Sequence, residues 1–266
     1  MFVTINSWNM QGGGRDKLAY LDSSLLGNKN NIILVQEAGV SGTTGFLQNE
    51  VYQSQDGREF LCMLAVKDPL AAMNERCTTA ILVELPLVEH CQINAFYDRV
   101  YSTARPLVYV QVGGLTIATF HAIANASYSV VEVKNAISRI NEITRNDNWI
   151  LMGDFNSEPF DYDMNRSNIM PNEFNHIRLS GTNSRYDEQK DTCYIIYDRL
   201  PTQGPHGRRT RCLDYTFVSN SAVEHIGSQY INGRTYALFY NNIVVDACNR
   251  VVSDHNIIRM DVKTPM

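Results

Sequence analysis

No stretch of this chain approaches the roughly 20 apolar residues that a membrane-spanning helix needs. No CxxC and no Cys/His zinc spacing occurs, so the six cysteines do not read as a zinc cluster. No internal repeat, low-complexity tract or linker divides the 266 residues, which read as a single domain, 1–266. Gly12-Gly13-Gly14 is not followed by Gly-Lys-Ser/Thr, so the phosphate-loop pattern fails and the glycines read as a turn. Positive charge is not in excess. The formal net charge of -5 argues against a generic polyanion-coating protein, but not against a nucleic-acid enzyme with a local basic surface. No signal peptide is expected within these residues, because the first strand-like run starts at Phe2. That leaves two expectations: an intracellular protein, or one whose leader has been removed and a start Met added.

What is present is an ordinary globular composition, 44% hydrophobic and 19% charged, long enough for a sizeable core. Cys62, Cys77, Cys91, Cys193, Cys212 and Cys248 allow three disulfides in an oxidising compartment or six buried thiols. Cys193 and Cys212 flank a long polar loop and are the first pair expected to bridge. Asn125-Ala126-Ser127 and Asn165-Arg166-Ser167 match the short glycosylation pattern.

Strand-like apolar runs occupy Phe2–Trp8, Ile32–Gln36, Glu59–Val66, Thr78–Leu85, Leu107–Val112, Leu115–Phe120, Trp149–Gly153, Cys193–Tyr197, Leu213–Val218 and Asn256–Val262. Gly113-Gly114 between two of them predicts a hairpin. Helical spacing appears at Asp16–Leu26 and at Ser129–Ile143, where Ser129 with Glu132 has the form of a capping box. Residues 157–212 read as long surface loops. Many strands with few long helices predict an α/β four-layer arrangement: two mainly antiparallel sheets packed face to face, helices outside.

Six of the runs deliver polar, metal-competent groups at an end: Asn9, Glu37, His121, Asp154 with Asn156, Asp214, and Asp254 with His255. Each has an ordinary reading by itself. A Glu or Asn at a strand end is commonly solvated, and Asp154 and Asn156 could form an Asx turn. Together they point to one site. Glu37 offers the carboxylate oxygen that Mg²⁺ prefers. Asp154 and Asn156, two apart, face one side and suit a phosphate or an attacking water. A carboxylate beside His255 would fix its tautomer for proton transfer, and His121 supplies a second imidazole. Arg105 suits a phosphate oxygen. Arg208, Arg209 and Arg211 form a basic cluster fit for phosphate contacts, or a solvated loop.

The order of the strings Trp8-Asn9-Met10-Gln11-Gly12, Val35-Gln36-Glu37-Ala38-Gly39, Ala104-Arg105-Pro106, Phe120-His121-Ala122, Gly153-Asp154-Phe155-Asn156, Leu213-Asp214-Tyr215 and Ser253-Asp254-His255 resembles the endonuclease/exonuclease/phosphatase superfamily. The first two strings are most similar to the catalytic B subunits of cytolethal distending toxins. The resemblance implies a four-layer sandwich and Mg²⁺-dependent phosphodiester hydrolysis, with Mn²⁺ or Ca²⁺ as alternatives. It implies Glu37 as principal metal ligand with Asn9 and Asp254 nearby, and Asp214 orienting His255. His121 would serve as acid or phosphate stabiliser, Asp154 and Asn156 would position phosphate and water, and Arg105 would hold a phosphate oxygen. Both His255 and Asp154 stand as candidates for the base. It further implies a secreted protein, partnered by toxin binding subunits, that cleaves double-stranded DNA in the host-cell nucleus. A phosphoinositide phosphatase is the alternative activity of the same site, and a non-catalytic binding subunit is a third reading.

Overall fold

The computed structural model describes residues 1–27, 30–40, 43–67, 78–99, 105–145, 148–159, 162, 175–178, 192–196, 211–219, 221–222, 228–231, 234–237, 239–242, 244–245, 248, 250 and 252–264. In chain order the strands are β1 (Phe2–Asn9), β2 (Asn31–Gln36), β3 (Val51–Gln53), β4 (Glu59–Lys67), β5 (Thr78–Glu84), β6 (Asn94–Arg99), β7 (Pro106–Val112), β8 (Leu115–Thr119), β9 (Trp149–Asp154), β10 (Asn175–Arg178), β11 (Thr192–Ile196), β12 (Asp214–Ser219), β13 (Ser228–Ile231), β14 (Arg234–Ala237), β15 (Phe239–Asn242) and β16 (Ile257–Lys263). The helices are α1 (Gly14–Leu18), α2 (Ser23–Leu26), α3 (Leu85–His90) and α4 (Ala126–Thr144). Every strand-like run of the sequence is a strand here, its ends displaced by no more than a residue.

One sheet has the order β15-β16-β1-β2-β5-β4-β3, and the other β10-β11-β12-β9-β8-β7-β6. β13 and β14 form a separate hairpin. Each large sheet is antiparallel except for one pair, β1 with β2 and β8 with β9. A parallel pair needs a crossover. α1 and α2 lie in the first crossover and α4 in the second.

The alternation of side chains explains why these strands are apolar on both faces. In β2, Ile32 and Leu34 point into the inter-sheet core, whereas Ile33 and Val35 join Leu18, Leu21 and Leu26 on the outer face. In β9, Ile150 and Met152 face inward, and Trp149 and Leu151 pack outward with Val133, Ile137 and Ile140 of α4. The layers are therefore helix, sheet, sheet, helix, as expected.

Three local expectations need correction. The helix expected over Asp16–Leu26 is two short ones, because Asp22 accepts from Ser24 N at 2.9 Å and Leu25 N at 3.3 Å and so starts a second helix. The second helix begins at Ala126, so Ser129 and Glu132 form no capping box. Ser129 Oγ instead donates to the Asn156 carbonyl, and Glu132 accepts from Ile123 N at 2.7 Å. Cys193 and Cys212 are thiols rather than a disulfide. Ser219 stands opposite Cys193 across β11 and β12. Residues 212 and 219 are separated by about 20 Å of extended chain, far beyond bridging reach. The Gly113-Gly114 hairpin is as expected, with φ of 53° and 79°.

Candidate active site

The parallel pairs dictate where the site lies. β1, β2, β8 and β9 end at the same edge of the sandwich, and their antiparallel neighbours β16, β12 and β7 begin there. Asn9, Glu37, His121 and Asp154 therefore arrive from strand ends, and Arg105, Asp214 and the Asp254-His255 pair from strand starts. Asp214 sits directly opposite Asp154 in the β9–β12 register. Asp154, Asp214, His121 and His255 are buried, while Glu37 and Asp254 are partly exposed.

Asp154 is the hub. Its Oδ2 accepts from Asn9 Nδ2 at 2.9 Å, and its Oδ1 accepts from Asn156 N at 3.0 Å. The same Oδ2 lies 3.6 Å from His121 Nε2 and 3.7 Å from His255 Nε2. His121 Nε2 is also 3.8 Å from Glu37 Oε1. On its other side His255 bonds Asp214 Oδ2 through Nδ1 at 2.9 Å. The sequence thus names a group of side chains that the fold gathers within a few ångströms.

Burial and neighbouring charge then separate the ionisations. Burial drives the Asp154 carboxyl up to about 6; the His255 charge opposes this and Asp214 adds to it. Burial works against a proton on His255, but the carboxylates of Asp214 and Asp154 outweigh it and raise the imidazole to about 10. His121 moves the opposite way, well below its ordinary value, through burial and the charges of Arg105 and His255. At neutral pH the site holds an imidazolium at 255, a neutral imidazole at 121 and an ionised Asp154.

Arg105 and Asn156 play parts that their residue types alone do not predict. Arg105 Nη1 donates to the carbonyls of His121 and Ala122 at 2.9 and 2.8 Å, bracing the end of β8. Asn156 forms the Asx turn on Asp154 and also donates from Nδ2 to the Ala122 carbonyl at 2.9 Å, so turn and site are one feature. Glu37 and Asn156 adopt φ of 48° and 49°, the left-handed region that is costly for residues other than glycine. Of the basic cluster, Arg208 and Arg209 lie outside the described residues, and Arg211 is exposed just ahead of β12.

Several contributors carry no signal by residue type. Gln36 Nε2 donates to Thr119 Oγ1 at 2.6 Å and Ser7 Oγ at 3.0 Å, tying β2 to β8 just beneath Glu37 and His121. Ser253 Oγ donates to the Asn9 carbonyl at 2.8 Å, and Gln11 bonds both turns. Gln36, Ser253 and Gln11 sit within the same short strings as the site residues, and Ser7 and Thr119 directly precede two of them, which is the one signal that could have found them.

The donors suit a hard divalent cation. Asp254 Oδ1 is buried with no hydrogen-bond partner, an arrangement that costs free energy unless a cation or a proton compensates it. Its nearest charged neighbour is His255 Nε2 at 3.6 Å. Glu37 offers a second carboxylate at the same edge. Asp154, Asp214 and His255 present three candidate ligand atoms within 4.8 Å of one another. Asp214 Oδ2 and His255 Nδ1 already bond each other, so the partly exposed carboxylates of Glu37 and Asp254 are the better placed donors for a metal.

No helix among the described residues is long and apolar enough to cross a membrane. Sequence comparison with curated proteins gives no match. Solved structures do match in fold. The Haemophilus ducreyi cytolethal distending toxin is 19% identical, covers 98% of this chain and 98% of that one, and gives a TM-score of 0.56. The Actinobacillus actinomycetemcomitans cytolethal distending toxin is 18% identical over 99% and 98% of the two chains, with a TM-score of 0.53. D. rerio TDP2 complexed with single strand DNA product is 14% identical over 99% of each chain, with a TM-score of 0.57. A family model described as the endonuclease/exonuclease/phosphatase family matches residues 7–255, an interval that contains every candidate site residue from Asn9 to His255. The chain belongs to the endonuclease/exonuclease/phosphatase family.

Proposed function

We propose that this chain is a Mg²⁺-dependent endonuclease that hydrolyses phosphodiester bonds of double-stranded DNA, and that it is the catalytic subunit of a secreted genotoxin acting in the host nucleus. The observation that carries the catalytic part is the placement of Asp154 Oδ2 3.6 and 3.7 Å from two imidazoles, one neutral and one protonated. The toxin part is supported by the fold shared with the H. ducreyi toxin.

Glu37 and Asp254 would hold the cation. When bound, it neutralises phosphate charge and polarises the phosphoryl oxygen. Asn9 stands beside them, but its amide is spent between Asp154 and the Gln11 N–H, which supports a role in orienting Asp154. Asp154, ionised above about 6, is matched to accept a proton from the attacking water at neutral pH. Its two oxygens are fixed by Asn9 and Asn156, so the carboxylate does not have to reorganise. The water oxygen bonds to phosphorus as the bond to the leaving oxygen breaks. His255, kept protonated by Asp214, offers a positive charge and a proton on Nε2 to the phosphate or leaving oxygen. His121, neutral, faces the carboxylates of Asp154 and Glu37 through Nε2 and can donate there to a phosphate oxygen. Arg105 braces His121 from behind and adds positive charge to the site. Arg208, Arg209 and Arg211 would meet the DNA backbone without reading sequence.

Nicking of supercoiled plasmid with and without Mg²⁺ tests the reading. Relaxed circles that require the metal are expected. Intact plasmid under every divalent cation would overturn it and turn the search to phosphate release from a phosphorylated inositol lipid.

A further inference from the structure

We infer that Gln11 is a positioning residue that couples the orientation of Asn9 to that of Asp254, and through them sets the affinity of the site for a divalent cation. This rests on the reading of Asp254 and Glu37 as cation ligands.

Gln11 reaches two turns from one place. Its backbone N–H donates to Asn9 Oδ1 at 3.0 Å. That bond turns the amide of Asn9 so that Nδ2 points at Asp154. Its side-chain Oε1 accepts from Asp254 N at 3.1 Å and from Ser253 Oγ at 3.4 Å. The Ser253 hydroxyl is shared with the Asn9 carbonyl at 2.8 Å and receives His255 N at 3.2 Å. The turn that carries Asp254 and His255 is thus held onto the end of β1 by one amide and one hydroxyl. These residues are more than 240 positions apart in the chain, with separations of 243 for Gln11 to Asp254 and 244 for Asn9 to Ser253.

The backbone at Gln11 argues that the side chain is needed. Its φ is 50°, and Gly12 and Gly13 follow at 80° and 67°. A glycine would adopt the left-handed conformation at 11 more cheaply. A glutamine there loses that advantage and gains an acceptor that reaches Asp254. The Asp254 carboxylate, with a buried oxygen that has no hydrogen-bond partner, depends on its backbone for orientation, and Gln11 holds that backbone. Groups that orient ligands in this way typically change metal affinity by ~10- to 100-fold when removed.

The test is calorimetric titration of the full chain with Mn²⁺ and Mg²⁺, for the wild type, Gln11→Ala and Gln11→Glu, beside metal-free melting. Gln11→Ala should weaken cation binding by about tenfold or more and slow nicking. Gln11→Glu keeps the acceptor and should restore binding. A Gln11→Ala protein that melts lower without metal yet binds the cation as tightly as wild type would overturn the inference and assign Gln11 a purely structural part. Wild-type protein that binds no divalent cation would overturn both this inference and the metal reading. Wild-type binding with unchanged Gln11→Ala affinity overturns the inference alone.

Discussion

His255 bridges two carboxylates that face each other across a β ladder: Nδ1 lies 2.9 Å from Asp214 Oδ2, and Nε2 lies 3.7 Å from Asp154 Oδ2. Two buried acids in register would repel, and the imidazolium between them is the counter-charge that opposes the rise of the Asp154 carboxyl.

Replacing either imidazole should disable the site without unfolding the sandwich. His121→Ala and His255→Ala are each expected to lower plasmid nicking by at least ~10²-fold, the usual cost of losing a proton-transfer or donor group. Circular dichroism should match the wild type. Near-normal nicking by either variant would remove that residue from the mechanism.

Activity should rise as pH climbs through about 6, where Asp154 loses its proton, and hold until His255 loses its own near about 10. Asp214 raises both groups, so Asp214→Asn should move both limbs to lower pH. The measurement is kcat/KM against pH for the two proteins. Superimposable profiles would show that Asp214 does not tune the pair.

Stability of the metal-free protein should follow the same groups with a definite sign. The folded state raises His255 above its ordinary 6.5, so its contribution is fully present below that value and is lost as pH rises through about 10. Asp154 is raised as well, so its contribution is present below 3.8 and is lost as pH rises through about 6. The Tm should therefore fall between about pH 7 and pH 10.5, and fall less in His255→Asn. An equal decline in both proteins would place the titrating group elsewhere.

A methyl group at Gly153 has no room. A Cβ there would collide with the Phe120 carbonyl oxygen, a backbone atom directly after β8. Gly153→Ala should cost about 2–3 kcal/mol or more of stability, seen as a lower midpoint in urea. Because Gly153 precedes Asp154 and Phe120 precedes His121, activity should fall further than stability does. A variant as stable as wild type would mean that β8 and β9 can part without penalty.

Cys62 and Cys193 should resist alkylation in the native protein, since burial pushes the Cys62 thiol up to about 12 and raises Cys193 further. Cys248 is exposed and should react first among the described cysteines. Mass spectrometry after a timed reaction with iodoacetamide reads this order. Modification of Cys193 in folded protein would contradict its burial.

What the sequence revealed follows from which strands are covered. β1, β2, β7, β8, β9 and β16 are apolar on one or both faces because they lie inside a sheet, and each is visible as a run of apolar residues. The strands that left no such signal in the two large sheets are β3, β15, β6 and β10, which are the four sheet edges. An edge needs no continuous apolar face and is commonly polar. The site followed the same logic. Glu37, His121, Asp154 and His255 announce themselves by chemistry at the end of a buried run. The bracing of β8 by Arg105 and the grip of Gln11 on Asp254 are three-dimensional facts, and residue type carries no trace of them. Cys193 and Cys212 misled because loop flanks suggest closure, whereas the strand register places them far apart.

The pairing of β16 with β1 has a consequence for timing. Ser253 bonds the Asn9 carbonyl across 244 residues, and Trp8 Nε1 bonds the His255 carbonyl across 247. Asp254 and His255 enter the site only when the last strand docks beside the first. Before β16 docks, β15 has no neighbour in the sheet and the site lacks both Asp254 and the imidazole that sits between Asp154 and Asp214, so the meeting of the two distant segments is itself the step that assembles the site.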